Sequence, residues 1–225
     1  VTLVHWQDIM LGIAAAIALN GILCLYLMKF HRPIPPEQQK NPLAQIGEVL
    51  GDPNTHVFSV SNGLLNVGQT NFFGFLTLFL TEAARASQPM AGFAMGLAQT
   101  ASFFARIYFG ALSDKFVGRR VLLCNWICGT AAVFLAAMIW VTPGWGLWYA
   151  MALVLVLGVT IASFAPVGQA IALEMVDPRL AASAVGYSMV GVHIGGMMGP
   201  VIFGYVVDTW GGYDNAWLVT AVLVA

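Results

Sequence analysis

Charge is scarce in this sequence. Only 8% of its 225 residues are Asp, Glu, Lys or Arg, against about a quarter in an ordinary soluble domain. A soluble chain so poor in charge would have little to cover its surface with. Neither sign dominates: nine Lys and Arg face ten Asp and Glu, a net charge of −1. A basic nucleic-acid footprint is therefore absent, and no nucleic-acid partner is expected. Cysteine is scarce too. Cys24, Cys124 and Cys128 lie inside apolar runs without C-x-x-C spacing, which gives neither a disulfide framework nor a zinc site. They read as small hydrophobes, and the expected metal and cofactor complement is none. HExxH, GxSxG and paired carboxylates are missing, and His31, His56 and His193 are far apart along the chain. A membrane enzyme would need one of these constellations, so the chain reads as no enzyme.

What abounds is apolar sequence, at 59%. Spanning the hydrocarbon core takes about 20 apolar residues. Six stretches qualify: Ile9–Met28, Val57–Leu80, Met90–Leu112, Val121–Val141, Trp148–Leu173 and Ala182–Val207. A seventh begins near Ala216. In lipid the backbone must satisfy its own hydrogen bonds. These runs are about twice the length of a barrel strand and do not alternate, so they are predicted to be helices. Val1 is not a start methionine, and no charged segment precedes the first run, so that run does not read as a signal peptide. The sequence stops inside an apolar run at Ala225. The expectation is a piece of a longer protein.

Seven of the basic residues, Lys29, Arg32, Lys40, Lys115, Arg119, Arg120 and Arg179, fall in alternate loops. The positive-inside rule places those loops in the cytoplasm of a cell-membrane protein, with Glu82, Arg85 and Asp208 outside. The longest connection, 31–56, carries Pro33, Pro35 and Pro36, then a short amphipathic piece, Leu43–Leu50, ended by Gly51-Asp52-Pro53. It separates a first segment, 1–30, from 57–225. Asp177-Pro178 is a helix-start signal before the sixth span.

The sequence also repeats. Shifting it by 94 residues lays Gly92-Phe93-Ala94-Met95 on Gly186-Tyr187-Ser188-Met189. Phe109-Gly110, Asp114 and Gly118 then fall on Phe203-Gly204, Asp208 and Gly212, and Gln99 falls on His193. The shift covers three spans, an odd number, so the two units run oppositely through the membrane. The predicted fold is an all-α polytopic helix bundle with a 3+3 inverted-topology repeat, as in secondary transporters.

Gly110-Ala111-Leu112-Ser113-Asp114-Lys115-Phe116-Val117-Gly118-Arg119-Arg120 resembles the signature of the major facilitator superfamily between the second and third helices of each half. Two residues rather than one separate Lys115 from Gly118. Pro166, Asp177-Pro178, Gly186 and Gly199-Pro200 also look like that family's tenth and eleventh helices. The resemblance implies that 1–30 is the last helix of an N-terminal half, 31–56 the central cytoplasmic linker, and 57–225 helices seven to twelve, the last incomplete. It further implies that Gly110, Asp114, Lys115, Gly118, Arg119 and Arg120 form a cytoplasmic latch between the two halves. The latch partner would lie in helix five, in the missing N-terminal half of the same chain.

Several polar residues lie within the spans. Arg106 stands eight residues before Asp114 and shares a face with Gln99 and Ser102. A charge at helix centre costs about 2.5–3.5 kcal/mol on insertion scales, so an intramembrane Arg is a functional candidate. It would bind a carboxylate or phosphate through its planar fork, or else snorkel to the surface. Asn62, Asn66 and Gln69 form an amide stripe, suited either to substrate or to holding helices together. His193 is a candidate substrate contact or proton relay, or a satisfied structural donor. Gly191, Gly195 and Gly199, followed by Pro200, have small-xxx-small spacing for close helix packing. No Asp or Glu lies mid-span, so protons are a possible coupling partner only through His193 or through helices outside this sequence. The reading is a secondary transporter in the lipid bilayer, a symporter or antiporter. Its substrate is a small molecule, an organic anion by the evidence of Arg106. A neutral-compound exporter of the same fold, suggested by 14 Phe and 10 Met, and a non-transporting membrane sensor are the alternatives.

Overall fold

The computed structural model describes residues 6–27, 42–144 and 146–225. The chain parts into two compact units, Val1–Asn41 and Pro42–Ala225. The first holds α1 (Trp6–Leu27). Its side chains from residue 7 onward are exposed. An apolar helix of 22 residues, about 33 Å long, suits lipid on every side.

The second unit holds α2 (Pro42–Leu50), α3 (Pro53–Glu82), α4 (Gln88–Ser113), α5 (Arg120–Ala137), α6 (Leu147–Thr160), α7 (Phe164–Glu174), α8 (Ala181–Thr209) and α9 (Tyr213–Val224). No strand occurs among the described residues. The caps explain the boundaries. The Asp52 carboxylate accepts from the Asn54 N–H at 2.9 Å, with Pro53 in the first turn, so Gly51-Asp52-Pro53 both ends α2 and starts α3. The helix thus begins inside the 31–56 connection. The fifth predicted span is one stretch broken at 161–163 into α6 and α7. Pro166 cannot donate to the carbonyl four residues back, and its ring crowds that turn. Asp177 caps a short 3-10 turn, Pro178–Leu180, accepting from the Arg179 N–H at 2.9 Å before α8 begins.

Among the described residues, four stretches are long and apolar enough to cross a membrane: Gln7–Leu27, Arg120–Trp140, Leu147–Glu174 and Pro178–Thr209. That is fewer than the six expected. α3 and α4, at 30 and 26 residues, have the length. They fall short in apolarity because α3 carries Asn62, Asn66, Gln69 and Asn71, and α4 carries Gln99 and Arg106. The polarity of α3 is turned partly inward, since Asn62 and Asn71 are buried. Polar residues facing protein rather than lipid lower the hydropathy of a spanning helix without barring it from the membrane.

The helix pairings have the exchange symmetry of two three-span units, α3-α4-α5 and α6/α7-α8-α9. The first helix of each unit packs on the second of the other, α3 on α8 and α4 on α6. The third helices, α5 and α9, pack together, and each also meets the first helix of the other unit. Close contacts follow the same rule. A Cβ on Gly158 would lie 2.7 Å from the Ala98 carbonyl oxygen. Shifted by 94, positions 158 and 98 become 64 and 192. There a Cβ on Gly63 would lie 2.7 Å from the Gly191 carbonyl oxygen, one residue away on each helix.

The α3–α8 seam is the closest packing in the unit. A Cβ on Gly191 would collide with the Ser59 backbone, and one on Gly195 with the Gly63 backbone. A Cβ on Gly199 would meet Thr70 Oγ1 at 2.9 Å and Asn71 Oδ1 at 3.0 Å. Glycine here removes the atoms that would hold two backbones apart. Beside the seam, Phe72, Leu76 and Phe79 of α3, Phe203 of α8 and Trp217 of α9 fill a dry apolar core.

Candidate functional site

The turn between α4 and α5 is built around Arg120. Asp114 ends α4 and opens a 3-10 turn through Phe116. Gly118 then takes a left-handed φ of +75°, which a side chain would strain. Arg119 precedes α5, whose first residue is Arg120. The Arg120 guanidinium lies 3.2 Å from Asp114 Oδ1 and 3.2 Å from Glu174 Oε1, while its Nε donates to the Ser113 carbonyl at 3.2 Å. Its side chain is only 12% exposed. One cation therefore ties the ends of α4 and α7 to the start of α5. It also sits where both helix C-termini present uncapped carbonyls and negative dipole ends, which favour a cation. The resemblance places a partner of the motif in helix five; Glu174, 54 residues beyond Arg120, is a further partner within this half that no local pattern marks. Lys115 and Arg119 are exposed. Gly110 faces Pro166, whose Cβ would be 3.7 Å from a Cβ at position 110.

These contacts rank the substitutions. Asp114 is 76% exposed, so Asp114→Asn is expected to cost no more than about 1 kcal/mol. Arg120→Met removes the shared cation and leaves two carboxylates facing one another. Its expected cost is about 1–3 kcal/mol. Thermal unfolding of the purified protein checks the order; equal losses for the two variants would refute it.

The polar residues of the spans divide between packing and the exposed surface. Asn66 Nδ2 donates to the Val192 carbonyl at 2.7 Å, joining α3 to α8. Asn62 is buried, its amide against Gly168 of α7. Gln69 is half-buried. Asn71, outside the predicted stripe, is buried and donates to Thr220 Oγ1 at 3.0 Å, joining α3 to α9. Gln99 and Arg106 share the exposed side of α4, whereas Ser102 turns into the bundle with Ala98 and Ala105. The predicted three-residue strip therefore splits. Two contacts set the depth of Arg106: Ala98 against Gly158, and Gly110 against Pro166. Arg106 lies between them on α4, level with the 161–163 break. Among the described residues it makes no ion pair or hydrogen bond. His193 is exposed on α8, with Nδ1 2.6 Å from the Met189 carbonyl oxygen.

A cavity of about 780 Å³ between α3, α5, α7 and the end of α9 is lined by Ser61, Asn62, Cys124, Asn125, Ile171 and Met175, among others, and takes in only Asn62 of the candidates. Among the described residues no group of three or more His, Cys, Asp or Glu could hold a metal ion. The structure also shows what sequence did not, that α2 is anchored to α8. Val49 is buried against Leu180 and Ala184, Glu48 pairs with Arg179 at 3.1 Å, and His56 bridges the Leu50 carbonyl at 2.8 Å and the Tyr187 hydroxyl at 2.6 Å.

Long apolar helices, two exchange-paired three-span units and a charged turn between the second and third helices define a multi-pass membrane transporter. The Major Facilitator Superfamily profile matches residues 58–225. The chain belongs to that superfamily. No curated protein matches it.

Proposed function

We propose that the protein is a secondary active carrier of a small organic anion, working by alternating access. The observation that carries this reading is Arg106. It stands within α4, level with the break between α6 and α7, exposed beside Gln99 and without an ionic partner among the described residues. A guanidinium at that depth must be offset by water, an anionic ligand or a carboxylate from elsewhere. Its planar fork matches a carboxylate or phosphate. In this reading an N-terminal half of the same chain, ending with residues 1–30 and joined through 31–56, completes the cavity. The Asp114–Arg120–Glu174 cluster steadies the cytoplasmic end of the C-terminal half. A neutral-compound exporter draws support from the exposed aromatics Phe93, Phe103, Phe104 and Tyr108 on the same helix.

A ligand panel separates the two. Small mono- and dicarboxylates are expected to raise the unfolding temperature of the full-length carrier, and neutral aromatics are not. At a hundredfold excess over the dissociation constant, the gain is about 2.7 kcal/mol. Stabilisation by the neutral set alone would reverse the assignment. Sidedness rests on the basic loops, so a cysteine placed at position 118 should escape impermeant labelling from outside while one at 85 reacts. The opposite pattern would invert the topology.

A further inference from the structure

The exposed stripe of α8 carries a donor set that the anion reading leaves unused. His193 Nδ1 lies 2.6 Å from the Met189 carbonyl oxygen. A carbonyl only accepts, so Nδ1 bears the proton, and the lone pair of the neutral ring is on Nε2. Nε2 has no hydrogen bond or ion pair among the described residues. A ring N–H held by a backbone carbonyl is the arrangement that fixes the tautomer of metal-binding histidines. Met189 and Met197 stand four residues to either side, the spacing at which helical side chains are neighbours. Met197 is 74% exposed and Met189 is half-buried. Side chains on a helix lean toward its N-terminus, which carries the Met197 thioether back over the His193 turn.

The rest of the stripe decides the ligand. From 186 to 201 the other exposed residues of α8 are Gly186, Val190, Ile194, Met197, Met198 and Val201. None supplies the oxygen that a hard cation requires. None supplies a carboxylate to balance a protonated imidazole. Imidazole with thioether suits a soft monovalent ion. Behind the stripe, Gly191 and Gly195 fix α8 against α3, so the donors stand on a rigid helix.

We propose that His193 Nε2 and the Met197 thioether, with Met189 as a third donor, form a binding site for a soft monovalent metal cation of the Cu(I) class. The site lies on α8 and does not depend on Arg106 of α4. Ag(I) serves as a redox-stable probe, titrated calorimetrically into the full-length protein with Cys24, Cys124 and Cys128 changed to Ala, so that thiols do not compete. One saturable site is expected. His193→Gln and Met197→Leu should each weaken it about tenfold or more, which is about 1.4 kcal/mol. Met198→Leu, about 140° further round the helix from His193, should not, and Arg106→Gln should leave it intact even if anion transport is lost. Should the cysteine-free protein fail to fold, the shift of the His193 Nε2 nitrogen resonance on Ag(I) addition to the native-cysteine protein decides the same question. No saturable Ag(I) site, no resonance shift, or a Met197→Leu affinity equal to the parent's would overturn the proposal.

Discussion

Gly195→Ala is expected to destabilise the protein by about 1–3 kcal/mol, and Gly195→Val to prevent accumulation of folded protein altogether. Two effects compete at this position. Alanine is a better helix former than glycine by about 1 kcal/mol, which alone would make the change favourable. The methyl group, however, would fall on the Gly63 backbone. Backbone cannot rotate away as a flexible side chain can, so α3 and α8 must separate along the seam. Separation also pulls Asn66 from the Val192 carbonyl, leaving an amide to find a new partner in a dry interface. The steric term therefore wins. Gly186→Ala on the same helix is the control, because nothing lies within 4 Å of a Cβ there. It should fold at wild-type levels or slightly better. Expression and size-exclusion profiles of the three variants test this. Equal profiles for Gly195→Val and Gly186→Ala would mean that the seam is looser than its geometry.

How far each feature was legible in the sequence depended on the range of the interaction. Span positions followed from apolar run length, and α3 and α8 lie within a few residues of the predicted 57–80 and 182–207. The glycine spacing on α8 advertised a close contact but not its partner: Ser59 and Gly63 of α3 also have small-xxx-small spacing, yet spacing on one helix does not say which other helix meets it. Trp148–Leu173 reads as one run, and Leu147–Glu174 is one stretch long and apolar enough to span, but the break at 161–163 inside it leaves no mark of its own in the run. Hydropathy stays high through it, and the single signal, Pro166, lies just past it. Arg120 and Glu174 could not be paired from sequence, since their proximity arises only when α4, α5 and α7 converge. The amide stripe was visible as a stripe. Its division into Asn66 on a backbone carbonyl and Asn62 against Gly168 depends on which helix passes each face, and periodicity on one helix does not report that.

Arg106 carries the largest expected effect on transport. On the proposed anion reading, Arg106→Gln in the full-length carrier should abolish transport while leaving abundance and melting temperature near wild type. The stability half follows from exposure: among the described residues the side chain has no partner to lose. The transport half follows from charge. Glutamine keeps hydrogen-bonding capacity but cannot offset a desolvated carboxylate, and truncating one member of a buried hydrogen-bonded charge pair costs about 2–5 kcal/mol, a factor of roughly 30 to several thousand in affinity. Arg106→Lys tests geometry separately. It retains the charge as a compact ammonium but loses the two-pronged donor, so transport should fall markedly without vanishing. A snorkelling arginine predicts otherwise. Lysine snorkels as well as arginine, and Lys would then match wild type while Gln lost stability rather than transport. If both variants transport normally, the anion assignment fails, and the aromatic flank of α4 makes a neutral-compound carrier the better account.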